Sequence, residues 1–194
     1  MGLTSPLDNL EQQTRFRTSR IPEWTQPYMQ DGNTVARDLM AKSVPTGIVK
    51  KWEQSLVAGE IVDSSDLELR GRGLWLLGGQ DATILAATLL QRLLLMDNVR
   101  SGRFTTEQEL LETEAPDGER NERFRLVQLL VLTDVGSTYR AASGWADAMV
   151  HELLRARLNA GLPTLVVSEK EPLECGLSKI FIKDSFYVVA FEGA

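Results

Sequence analysis

Four short, continuous apolar runs limit the folds open to this chain. They are Leu74-Trp75-Leu76-Leu77, Leu129-Leu130-Val131-Leu132, Thr164-Leu165-Val166-Val167-Ser168 and the stretch from Phe186 to Phe191. Runs of this length without polar alternation read as strands covered on both faces. Segments long enough for helices separate them. Strand-helix-strand succession of that kind implies right-handed crossovers and a mostly parallel sheet. The expected architecture is a three-layer α/β/α domain with a short helical N-terminal segment.

The intervening segments support this reading. Ala82–Met96 is rich in Ala and Leu, with Ile84, Leu85, Thr88, Leu89 and Arg92 at helical spacing and Asp81 placed to cap it. Ala146–Asn159 carries Met149, Val150, Leu153, Leu154 and Leu158 on one side, and Gly161-Leu162-Pro163 stops it. Residues 34–59 predict two helices, the first capped by Thr34, with Ser43-Val44-Pro45 breaking the chain between them. Residues 107–122 hold seven acids and read as a solvated acidic face whose second half is a loop. We divide the chain at 60/61, into an N-terminal arm with short helices (1–60) that packs or docks a partner, and an α/β domain (61–194).

Composition excludes several functions. The net charge is −6, so no overall basic footprint for nucleic acid exists, although a local patch could still touch DNA. One cysteine, Cys175, and one histidine, His151, leave no disulfide and no Cys- or His-based metal cluster. The N-terminus lacks a signal peptide and the longest apolar run is too polar to span a bilayer, so a cytoplasmic protein without membrane attachment is expected. Ser137, His151 and Asp147 could be drawn as a triad, but no Gly-x-Ser-x-Gly elbow accompanies them.

The turn after the first strand is where a phosphate-binding loop would lie. Such a loop needs Gly-x4-Gly-Lys-Ser/Thr, whose backbone N–H groups surround phosphate while the lysine neutralises it and the hydroxyl holds magnesium. From Gly78 the chain runs Gly79-Gln80-Asp81-Ala82-Thr83-Ile84-Leu85, without that lysine, and no lysine occurs between Lys51 and Lys170. Asp81 at the helix start would oppose a triphosphate by about 4 kcal/mol at 4 Å and an effective dielectric constant of about 20. The second strand ends Thr133-Asp134, one carboxylate where a magnesium-holding strand of this type ends in two.

The order of parts resembles the DnaC/IstB type of AAA+ ATPases, which includes replicative-helicase loaders. The pieces are Arg20-Ile21-Pro22, Gly71-Arg72-Gly73-Leu74-Trp75-Leu76-Leu77-Gly78, Leu130-Val131-Leu132-Thr133-Asp134-Val135-Gly136, Glu152-Leu153-Leu154-Arg155-Ala156-Arg157 and Pro163-Thr164-Leu165-Val166-Val167-Ser168. The resemblance implies a P-loop AAA+-like fold. It places the relic of a nucleotide site at Gly78, Gly79, Asp81, Thr83, Thr133, Asp134 and Ser168, with Ser168 at or beside the sensor-1 position. It puts Arg157 where the family has an arginine before the sensor strand. The tail Phe191-Glu192-Gly193-Ala194 stops short of the family's terminal arginine.

Degenerate Walker motifs imply a pseudo-ATPase with no catalytic residues and no cofactor, weak ATP or ADP binding remaining open. The expected role is a binding or adaptor factor in DNA replication. Its partner would be a replicative helicase, an initiator or an active ATPase subunit, and homo-oligomerisation is open. Candidate partner-binding residues are the basic-aromatic cluster Arg15, Phe16, Arg17 and Arg20, with Trp24 and Arg157. The alternatives are a structural AAA+-like subunit of a larger assembly, or a weak ATPase whose non-standard site uses Arg70 and Arg72.

Overall fold

The computed structural model describes residues 21–57, 72–95, 99, 101–113, 122–137 and 144–191. Six strands form one sheet: β1 (Ser43–Val44), β2 (Gly73–Leu77), β3 (Gly102–Thr106), β4 (Leu129–Thr133), β5 (Thr164–Ser168) and β6 (Phe186–Phe191). Their order is β1-β6-β2-β5-β4-β3. The five longer strands are parallel, and β1 joins β6 antiparallel, with Ser43 opposite Phe191. Every residue of β2, β4 and β5 is buried, as expected of central strands with helices on both faces.

Strand alternation divides the core. Leu74, Leu76, Val131, Leu165, Val167 and Val189 face one helical layer, whereas Trp75, Leu130, Leu132 and Val166 face the other. The first layer contains α1 (Gln26–Met29), α2 (Gly32–Lys42), α3 (Ile48–Val57) and α4 (Gln80–Leu95). The second contains α5 (Glu107–Thr113), α6 (Glu122–Leu126), α7 (Trp145–Asn159) and α8 (Lys179–Ser185). The result is the three-layer α/β/α architecture read from the sequence. Helix α4 is buried nearly all round because it lies between the sheet and α2, with Ala86, Ala87, Leu89 and Leu90 fully covered.

Several local expectations need correction. Helix α4 begins at Gln80, so Asp81 lies inside the first turn, and the Gly79 carbonyl accepts from the Thr83 N–H at 3.2 Å. Helix α2 starts at Gly32 after Asp31, two residues before Thr34. Ser43-Val44 both ends α2 and adds an edge strand. The acidic stretch is not simply solvated. Glu107 and Glu109 are buried, because Glu107 accepts from the Gly136 N–H at 2.9 Å and Glu109 from the Thr105 hydroxyl at 2.8 Å. The boundary proposed at 60/61 falls on residues outside those described. Met29, Ala36, Leu39, Val49 and Trp52 share the core of the sheet and α4, and Trp52 Nε1 donates to the Arg72 carbonyl at 3.0 Å.

Candidate functional site

A cleft of about 390 Å³ opens beyond the carboxyl ends of β2, β4 and β5. Its position follows from topology. The chain leaves β2 for β3 at one side of the sheet, then later crosses to β6 on the other side, so loops part at β2/β5 and leave a crevice.

Gly78, Gly79, Gln80 and Thr83 form one wall. Two residues, Gly78 and Gly79, connect the end of β2 to the start of α4. Gly78 has φ +152° and its N–H donates to the Ser168 carbonyl at 2.9 Å, which ties the turn to β5. A side chain at Gly78 would meet Phe191 and Ala82 at 3.4 Å in a backbone conformation that favours glycine.

Asp134, Val135, Gly136 and Ser137 form the opposite wall. Asp134 is left-handed, with φ 59°, and its carbonyl accepts from the Ser137 N–H at 3.0 Å and from the Ser137 hydroxyl. Thr133 lies buried below, its hydroxyl 3.4 Å from the Thr105 carbonyl and 3.3 Å from Asp134 Oδ2.

Ser168, Glu169 and Lys170 close the cleft from β5. The Ser168 hydroxyl donates to the Lys170 carbonyl and accepts from the Lys170 N–H at 2.9 Å, and buried Cys175 lies 3.6 Å from it. Lys170 Nζ donates to the Gly136 carbonyl at 2.7 Å, spanning the cleft floor between two loops. Glu169 Oε1 lies 3.3 Å from where a Cβ on Gly79 would stand, at the N-terminal end of α4. A carboxylate there is favoured by the helix dipole.

Of the residues anticipated from sequence, Gly78, Gly79, Thr83, Asp134 and Ser168 line one cleft. Asp81 does not line it. Its carboxylate turns outward to Lys42 Nζ at 4.0 Å, so the acid at the helix start is Glu169 instead. The loop lacks its own lysine, but Lys170 lines the cleft. Lys170 is distant in sequence, yet the β2/β5 register sets Leu77 opposite Ser168 and brings the next residues alongside. That pairing was the missed signal.

Trp24 lines the cleft and is exposed, and so is Trp145 at the start of α7, whereas Trp52 and Trp75 are core residues. Arg157, anticipated as a partner contact, is fully buried. Its guanidinium donates to the Phe124, Val127 and Pro163 carbonyls and the Thr164 hydroxyl at 2.7–2.8 Å, so it cannot touch a partner. Arg15, Phe16, Arg17, Arg20, Arg70 and the tail after Phe191 lie outside the described residues. The Ser137 hydroxyl is engaged by Asp134, and the His151 ring stands edge-on to Phe181 at 4.6 Å, so neither adopts a triad role.

Strand order, cleft position and the strand–turn–helix at Gly78 define a three-layer α/β/α fold of the P-loop AAA+-like kind. Among solved structures the chain is similar to DnaI, with 18% identity and a TM-score of 0.57, over 91% of this chain and 97% of that one. It is also similar to a protein assigned as a primosome component in Streptococcus pyogenes serotype M3, with 14% identity and a TM-score of 0.58, over 97% and 98% of the two chains. The replication initiator DnaA bound to AMPPCP and single-stranded DNA matches with 14% identity and a TM-score of 0.52, over 73% of this chain and 50% of that one. At these identities the likeness is one of fold. No protein-family model matches the chain, and no curated protein matches it in sequence. Among the described residues no helix is long and apolar enough to cross a membrane.

Proposed function

We propose that this chain is a helicase-loader-like adaptor in DNA replication that binds a protein partner without hydrolysing nucleotide. The observation that carries this reading is the two-residue connection between β2 and α4. A phosphate-binding loop needs several consecutive N–H groups arched around the anion, with a lysine at the helix start. Gly78 and Gly79 are too few to arch, and Gly78 spends its N–H on Ser168. Asp134 and Glu169 add carboxylates around the space, and the Lys170 ammonium is held by Gly136. The replication context rests on the solved structures of the same fold, which include DnaI, a protein assigned as a primosome component and an initiator.

Two measurements test the proposal. Calorimetric titration with Mg-ATP and Mg-ADP should give no binding heat at micromolar protein, and no phosphate should be released. Immobilised protein should retain the replicative helicase of its own cell. Phosphate release abolished by Lys170→Ala would establish a working non-standard site and overturn the first half. Failure to retain helicase, initiator or any AAA+ ATPase would overturn the second.

A further inference from the structure

On the outer side of α4 a groove of about 510 Å³ opens between α2 and α3. Thr34, Arg37 and Ala41 of α2 follow at three- and four-residue steps and so share one face. From Thr34 to Ala41 that face runs about 10 Å at roughly 1.5 Å per residue. Lys50 and Glu53 of α3 form the facing wall, and Arg92 of α4 lies at the floor.

Charge is distributed unevenly here. Arg92 Nε stands 3.1 Å from Glu53 Oε1, with side-chain exposures of 21% and 7%, so this pair is largely consumed at the floor. Burial pushes the Glu53 carboxyl upward, against the pull of Arg92 and Lys50. Among the described residues Arg37 pairs with its exposed neighbour Asp38 at 3.2 Å, a surface pair of little worth, and Lys50 is exposed. Among its described lining residues the groove presents two exposed cations, Arg37 and Lys50, with half-buried Met40 and exposed Ala41 as apolar surface beside them.

We propose that this groove docks a short acidic, amphipathic peptide segment of a partner protein, its carboxylates on Arg37 and Lys50 and an apolar side chain on Met40 and Ala41. Charge complementarity selects the acidic residues, and the apolar strip selects their neighbours. A nucleic-acid strand fits less well. Among the described residues no aromatic side chain lines the groove for base stacking. A single phosphate would fill a fraction of its length.

The test uses a fluorescein-labelled twelve-residue peptide of Glu, Leu and Ala, followed by anisotropy against the full chain. Binding should weaken about tenfold in the double variant Arg37→Glu/Lys50→Glu. Both side chains are exposed, and an unchanged melting curve confirms folding. Lys51→Glu/Lys179→Glu carries the same charge change outside the groove and should weaken binding less than about twofold. No binding at millimolar peptide, equal weakening by both variants, or displacement by oligo-dT or tripolyphosphate at lower concentration than unlabelled peptide would each overturn the proposal. Cleft and groove share no lining residue among those described, so nucleotide hydrolysis could be found while peptide docking holds, and the reverse.

Discussion

Arg157 Nη1 donates to the Phe124 carbonyl at 2.7 Å, so a helix residue fixes a segment 33 positions earlier in the chain. The same guanidinium reaches the Val127 and Pro163 carbonyls and the Thr164 hydroxyl, joining α6, α7 and the start of β5. Burial pushes its pKa down to about 9, so it keeps its charge at neutral pH. Arg157→Met should therefore lower stability by about 3 kcal/mol or more, since several buried carbonyls lose their donor together. The urea midpoint measures this. A loss below about 1 kcal/mol would mean that water replaces the guanidinium readily. Between pH 5 and 8 this residue adds no slope to stability, because it is charged in folded and unfolded chains alike.

Gly73 opens β2 beneath the Phe186 ring, and a Cβ there would lie 2.6 Å from the Thr164 carbonyl oxygen. Backbone cannot retreat without disturbing the β2/β5 pairing that shapes the cleft. Gly73→Ala should cost about 1–3 kcal/mol as overpacking, read as a lower melting temperature. An unchanged melting temperature would show that β2 slides to make room.

The runs of β2, β4 and β5 were legible because strands covered on both faces are apolar along their length, with the buried polar residues Thr133, Thr164 and Ser168 at strand ends. Strand β3, Gly102-Arg103-Phe104-Thr105-Thr106, escaped notice because at the sheet edge only Phe104 is both apolar and fully buried. Strand β1 is too short to carry a pattern. Glu107 and Glu109 were hidden among acids that local sequence cannot separate into buried and exposed. The site was half legible: Gly78, Gly79, Thr83, Asp134 and Ser168 follow from strand ends, whereas Glu169 and Lys170, the two residues after β5, were passed over, and Trp24 was read only as a partner contact. Arg157 misled because arginine is so seldom buried.

Glu53 offers a test by pH. Its carboxyl lies above the ordinary value of 4.5, chiefly through burial. The folded chain thus holds this proton more tightly than the unfolded chain. Ionised Glu53 is a cost, full above its folded pKa and relieved as pH falls toward 4.5. Relative to Glu53→Gln, the wild-type chain should gain stability as pH is lowered through that window. A stability difference that is flat, or that moves against the wild type on acidification, would show that Arg92 outweighs burial.

Asp134 combines a left-handed backbone with a place in the cleft wall. Asp and Asn tolerate that conformation better than Ala, and Gly adopts it freely. Asp134→Ala should destabilise the fold by roughly 1 kcal/mol, while Asp134→Asn and Asp134→Gly should stay within about 0.5 kcal/mol of the parent. Chemical denaturation of the three variants checks the order. If conformation is the reason for the residue, the partner binding proposed above should be equally strong with Asn or Gly here. A partner lost with both Asn and Gly, in chains that remain folded, would instead show that the Asp134 carboxylate itself is needed, and with it the charge on this side of the cleft.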